Sequence, residues 1–243
     1  MLKYIAFIIF IVLSLVFFLI EPLSSIDLNL SSTFLTIATF LFAIFAGFFI
    51  SRQGTRYSTI RDQITTFDGS MSAIFRFFGH LGTEPQEEAR GIIKYHYETI
   101  LKEKAWDYHF VHKSTTISSM HDLLERVVGD HTLPSLRNFA LQRILFNLRI
   151  LQVTRKSMIA LHTERIPRFQ WMLIIFLAAI LLVAVSLIPS FHNVLGAILK
   201  GAFGSAVIFV LILLSEFDKL KFFEGTIGER SAQDILDIFS GKK

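Results

Sequence analysis

The chain has 243 residues, 52% of them hydrophobic and 18% charged, with 26 Phe and a formal net charge of +4. That apolar share exceeds what a water-soluble domain carries, and it is gathered into four blocks, which excludes a soluble globule and points to lipid as the solvent. The absence of cysteine excludes disulfides and thiolate chemistry. The positive charge is no sign of nucleic acid, because Lys and Arg collect on the cytoplasmic side of any membrane protein.

The first block, Tyr4 to Ile20, follows Lys3 and has the outline of a signal peptide. Glu21-Pro22-Leu23-Ser24-Ser25 offers no small-residue cleavage pattern, however, and the run is long for a signal core, so it is read as an uncleaved helix. The second block, Thr33 to Ile50, stops at Ser51-Arg52. The third runs from Phe169 to Ile188 and the fourth from about Val194 to Leu214. Each is close to the roughly 20 residues that carry an α-helix across a bilayer, and strands would be shorter and alternating.

Lys and Arg are absent from residues 21–32 and 190–193, number 17 in residues 51–168 and five in residues 215–243. The bias places both termini and the long insert in the cytoplasm, in a cell inner membrane.

Between the second and third blocks the pattern is amphipathic helix. Arg52 to Phe78 continues the second span, with Ile60, Ile64, Phe67, Met71, Ile74 and Phe78 three or four apart. Thr83-Glu84-Pro85 marks a new start with Thr83 as the cap. Thr132-Leu133-Pro134 marks another, and from Leu136 to Met158 apolar residues recur at helical spacing until Pro167. The expected fold is all-α: four transmembrane helices with a helical cytoplasmic domain, containing a helical hairpin, inserted between spans two and three. The segments are 1–50, 51–168, 169–215 and a cytoplasmic tail, 216–243.

Three passages resemble the bacterial bestrophin-like membrane family: Tyr97 to Trp106, Arg165-Ile166-Pro167 to Trp171, and Glu216-Phe217-Asp218 to Phe222-Phe223-Glu224-Gly225. The tail lacks the proline expected before its aromatic. The resemblance implies a homo-oligomer, pentameric by analogy with bestrophin anion channels, with a central ion pathway lined from the second span.

Lys200 lies within the fourth span, where a charge is expensive. It either snorkels or pairs with Glu21 or Asp27, or it forms a ring that attracts anions and sets selectivity. Gly196, Lys200 and Gly204 share a face with Ala197, Gly201 and Ser205 beside them, a spacing that suits close helix packing or a pore lining. The second span carries Thr36, Thr39, Ala43, Ala46 or Gly47, and Ser51 opposite a bulky set that includes Phe40, Phe42, Phe45, Phe48 and Phe49. Its pore-lining candidates are Thr36, Thr39, Phe42, Phe45, Phe49 and Ile50, with a phenylalanine or Ile50 forming a hydrophobic constriction. Packing and lipid contact are the competing roles for each phenylalanine. Glu216 and Asp218, with Glu224 beyond them, are candidates for the inner mouth, as an acidic ring or a cation site or, the expected role, in salt bridges with Lys219 and Lys221.

His109 and His112 are three apart and His121 is not far along, but no carboxylate completes a metal set, so solvent-facing histidines are expected. No phosphate-binding glycine loop and no nucleophile elbow occurs, so neither catalysis, a cofactor nor a metal is expected. The leading reading is an oligomeric channel for small inorganic ions, with anions preferred. The runner-up is a non-conducting membrane scaffold whose cytoplasmic helices bind a partner. A carrier fits less well, without an internal repeat or a broken helix pair.

Overall fold

The computed structural model describes residues 2–20, 28–129, 135–188, 193–221 and 228–240, and these are helical apart from short connections. The expected pairing acids Glu21 and Asp27, the helix start at Thr132 to Pro134, and Phe222 to Gly225 lie outside the described residues. The chain divides into two compact units, residues 1–54 with 165–219 and residues 55–164 with 220–243.

The first unit holds α1 (Leu2–Ile20), the N-terminal part of α2 (Leu28–Gly79), α7 (Arg168–Ser186) and α8 (Asn193–Asp218). Ala38, Phe42, Ala46 and Phe49 recur every three or four residues, so they line one face of α2. That face is buried with Ile174, Leu177 and Leu181 of α7 and Val207 and Leu214 of α8. α1 packs along α8, where Phe17 is buried with Ala197.

Much of the remaining surface is bulky and apolar: Phe34, Phe40, Phe48, Phe169, Met172 and Phe176 each expose more than half of their area. Water would penalise such a surface by about 1.5–3 kcal/mol per side chain relative to burial, whereas hydrocarbon does not. Among the described residues, three helices are long and apolar enough to cross a membrane: α2 from Thr33, α7 and Val194–Asp218. In α1 the apolar stretch with described side chains, Ile8–Leu19, is shorter. α2 is far longer than a bilayer needs; its apolar window ends before Arg52, and the rest belongs to the second unit.

The second unit contains the C-terminal part of α2, α3 (Thr83–Glu103), the one-turn α4 (Tyr108–Val111), α5 (Thr116–Val128), α6 (Ser135–Thr163) and α9 (Gly228–Phe239). The insert therefore has three helices between α2 and α6 where a hairpin of two was expected. Phe67, Met71, Ile74 and Phe78 of α2 meet Ile93 and Tyr97 of α3, Leu123 of α5 and Ile144 and Leu148 of α6 in one core. α3 starts at Thr83 as its sequence predicts, but its cap is Gly82, at φ 149°, with no capping side-chain hydrogen bond. Only glycine takes that backbone conformation without strain, which lets the chain reverse in the short turn from α2 to α3.

The helices surround the core in the order α2, α3, α5, α6. Gln86 of α3 donates to the Phe75 carbonyl of α2 at 3.5 Å, α3 packs on α5 and α5 on α6, and Arg56 of α2 donates to the Leu161 and His162 carbonyls of α6 at 2.8 and 3.0 Å. α9 lies against α3, and its Phe239 ring sits 4.6 Å from that of Phe75 on α2. α9 therefore fills the furrow between α2 and α3, and this part of the C-terminal tail belongs to the core.

Candidate functional site

Among the described residues, those that bear chemistry occur at four places, three in the first unit and one in the second. On α2, the face opposite Ala38, Phe42, Ala46 and Phe49 presents Thr36, Phe40, Ala43, Gly47, Ser51 and Gly54, all exposed. A Cβ placed on Gly47 or Gly54 would meet nothing within 4 Å. These glycines are therefore not required by packing inside this chain. Of the predicted lining residues, Thr36 is exposed and Thr39, Phe45 and Ile50 are half-buried. The Thr39 hydroxyl donates to the Leu35 carbonyl at 2.8 Å, which satisfies it within the helix. Phe42 and Phe49, 7% and 2% exposed, point into the core shared with α7 and α8.

Lys200 stands on the inward face of α8 and is only 7% exposed. Its neighbours on that helix show why the segment is rich in small residues. A Cβ on Gly201 would lie 2.0 Å from Ser14 Oγ of α1, and one on Gly204 would lie 3.2–3.3 Å from Leu182, Leu13 and Phe17. The glycine spacing brings α1 and α8 into backbone contact.

At the end of α8, the two acids predicted together have different surroundings. The Asp218 carboxylate accepts the Ile166 backbone N–H at 2.8 Å, while the Asp218 carbonyl accepts from the Arg165 guanidinium. Asp218 thereby secures the entry to α7, and Glu216 is half-buried two residues earlier.

The second unit contains a buried polar network that sequence reasoning missed. Asp68, beyond the membrane part of α2, accepts the Tyr97 hydroxyl at 2.5 Å through Oδ1 and the Ser231 hydroxyl of α9 through Oδ2. Burial pushes the Asp68 carboxyl above its ordinary value, against the two hydrogen bonds. Burial, then the neighbouring Asp68 charge and hydrogen bond, push the Tyr97 phenol well above its own, so Tyr97 stays a donor. Next to Tyr97 in the chain, His96 Nδ1 is 2.9 Å from Thr116 Oγ1, and its ring stacks on His109 at 3.8 Å. His109 Nε2 donates to the His96 carbonyl at 2.9 Å.

His109 is thus buried at 6% exposure, a correction to the expected solvent-facing histidine. α4 ends after one turn, so His109 turns inward while His112 remains exposed at the cap. Burial, and then His109, push His96 well below the usual histidine value, and the ring is neutral. A cavity of about 20 Å³ lies among Asp68, His96, Tyr97 and Trp106, room for about one water. The signal available in the sequence was a lone acid, Asp68, between Phe67 and Met71 on an otherwise apolar stripe. Among the described residues no group of three or more His, Asp or Glu could hold a metal.

No curated protein and no solved structure matches the chain. The Bestrophin-like domain matches residues 4–227, a range that includes the α2 face, Lys200, Asp218 and the Asp68–Tyr97 pair but ends before α9. With nearly the whole chain matched, and with helices built for lipid, this is a membrane protein that belongs to the Bestrophin-like family.

Proposed function

We propose that the protein is a homo-oligomeric channel for small inorganic ions, with anions preferred, set in a bacterial inner membrane by four spans with both termini cytoplasmic. α1 supplies the fourth span in this reading, and the 17 Lys and Arg of residues 51–168 hold the insert in the cytoplasm. No catalysis or cofactor is involved.

The observation that carries the proposal is the outward face of α2. Thr36, Ala43, Gly47 and Ser51 are small or weakly polar and exposed, on a helix whose other exposed positions, such as Ile37, Ile44 and Phe48, are bulky and apolar. Lipid has no use for such a stripe, whereas symmetric copies can turn it toward a shared axis. Phe40, 64% exposed on the same face, would supply the hydrophobic ring, with Phe42 and Phe49 buried behind it and Phe45 and Ile50 half-buried against that core. Lys200, largely inside the protomer, would act through its field, raising the local anion concentration.

Reconstitution into liposomes with paired chloride and potassium flux assays tests this. Chloride flux is expected, with Phe40→Ala increasing it and Lys200→Glu lowering the chloride preference. Silence over a range of voltage, pH and calcium would overturn the channel in favour of a non-conducting scaffold.

A further inference from the structure

Among the described residues, two open furrows of the second unit differ in chemistry. In the order α2, α3, α5, α6, the furrow between α2 and α3 is filled by α9 through Ala232, Ile235 and Phe239. The α2/α6 furrow is an open groove of about 350 Å³, lined by Gln63 and Thr66 of α2 and by Phe146, Ile150 and Val153 of α6. The α3/α5 furrow is an open groove of about 360 Å³ around Gly91 and Tyr95 of α3 and Ser119 of α5. In a ring of four helices these two furrows lie on opposite sides.

The α6 side is apolar and basic. Phe139, Phe146 and Val153, spaced by seven, are 50%, 56% and 58% exposed. That is two helical turns per step, the spacing with which one helix meets another along its length. Arg143 and Arg149 flank the stripe, and α6 contains no acidic residue from Ser135 to Thr163.

The α3 side is acidic with a notch. Glu84, Glu88, Gly91, Tyr95 and Glu98 alternate four and three apart along one exposed face of α3. A Cβ on Gly91 would meet nothing within 4 Å, so a second helix can come close there. Tyr95, 68% exposed, stands beside the notch. Arg126 holds Glu88 at 2.8 Å and Lys94 holds Glu98 at 3.6 Å. Exposed pairs of this kind contribute little, so either acid can exchange its partner for an incoming arginine.

We infer that the occupant of each groove is a second copy of this chain: the Phe139–Phe146–Val153 face of α6 docks on the Gly91–Tyr95 face of α3 in the neighbouring protomer. The inference rests on the homo-oligomer of the proposed function and names the contact that builds it. Two different faces on opposite sides of one unit make a head-to-tail contact, which closes into a ring when the rotation permits. A two-fold dimer would bring a face against itself, here arginine against arginine or glutamate against glutamate.

The chain's lack of cysteine provides the experiment. Val153→Cys and Tyr95→Cys change two exposed positions and are introduced singly and together into the full chain in detergent. Under mild oxidation the double variant should give a covalent ladder that stops at the size of the native oligomer, and each single variant should remain monomeric on a denaturing gel. Phe146→Glu should reduce the native mass measured by light scattering.

Dimers from Val153→Cys alone, or an intact oligomer that gives no ladder, would overturn the contact. So would a wild-type chain that is monomeric, which would leave the grooves to a different partner. A ladder with electrically silent liposomes would support this contact while removing the channel, and chloride flux without a ladder would remove this contact alone.

Discussion

The Asp218 carboxylate receives the backbone N–H of Ile166 at 2.8 Å, although 52 residues separate the two. Pro167, the residue before α7, has no N–H of its own, and α7 has no side-chain cap. Asp218 therefore satisfies a donor at the point where the chain enters the span, and Arg165, donating to the Asp218 carbonyl, offsets an acid at the C-terminal end of α8. Asp218→Ala should lower stability by about 1.5–3 kcal/mol, the usual worth of a hydrogen bond to a charged group, with Asp218→Asn less harmful. Thermal unfolding in detergent measures it, and an unchanged midpoint for the alanine variant would remove the bond from the account.

The pair Tyr97 and Asp68 makes a second prediction. Tyr97 is 2% exposed and its hydroxyl is one of two donors to a buried carboxyl. Tyr97→Phe should cost about 1–3 kcal/mol, because it leaves a buried oxygen short of a partner. Asp68→Asn should act in the opposite direction at neutral pH. Burial raises the Asp68 value in the folded state, so stability falls as pH rises from the unfolded value of 3.8 through the raised one, and the loss persists above it. The amide removes that pH-dependent loss. A double-mutant cycle by chemical denaturation should show a smaller cost for Tyr97→Phe in the Asp68→Asn background.

The residues that sequence reading placed well are those whose meaning is periodic. Ile60, Ile64, Phe67, Met71, Ile74 and Phe78 are all buried, as their spacing implies, and the helix over them continues unbroken from the apolar stretch despite Gly54 and Gly69. Asp68 was not legible because a single acid on such a stripe reads as noise until Tyr97 and Ser231, 29 and 163 residues away, are brought to it. His109 was missed for a related reason. Spacing from His112 suggested a shared exposed face, but the His96 carbonyl and ring, 13 residues earlier, fix it inside. The docking of α9 was not legible in the tail because the furrow it fills exists only once α2 and α3 are packed.

The stacked histidines predict an acid limit for the second unit. His96 is held neutral by burial, with its value well below the unfolded 6.5, and His109 is lowered as well, by burial first, with Arg155 and His112 adding to it. A lowered folded value contributes stability that is present above pH 6.5 and is lost progressively as pH falls below it toward the folded value. The protection factors of α3 and α4 amides, taken relative to the intrinsic exchange rate at each pH, should therefore fall between pH 6.5 and 5. His96→Asn should flatten that dependence while lowering stability at pH 8; a profile as steep as that of the wild type would assign the acid sensitivity elsewhere.

Gly201 tests the contact of α1 with α8 most directly. A methyl group there would stand 2.0 Å from Ser14 Oγ, 2.9 Å from Ser14 Cβ and 2.8 Å from Ser14 Cα. The first two atoms disappear in Ser14→Gly, but the third is backbone and cannot be removed by substitution. Gly201→Ala must therefore push the helices apart, with the 1–3 kcal/mol typical of overpacking as a rough scale. Its effect should be only partly relieved by Ser14→Gly. The neighbouring Gly204→Ala, where the contacts are side-chain carbons at 3.2–3.3 Å that can yield, should cost less. Melting midpoints in one detergent order the three variants, and a Gly201→Ala protein as stable as the wild type would show that α1 does not rest on α8 at this point.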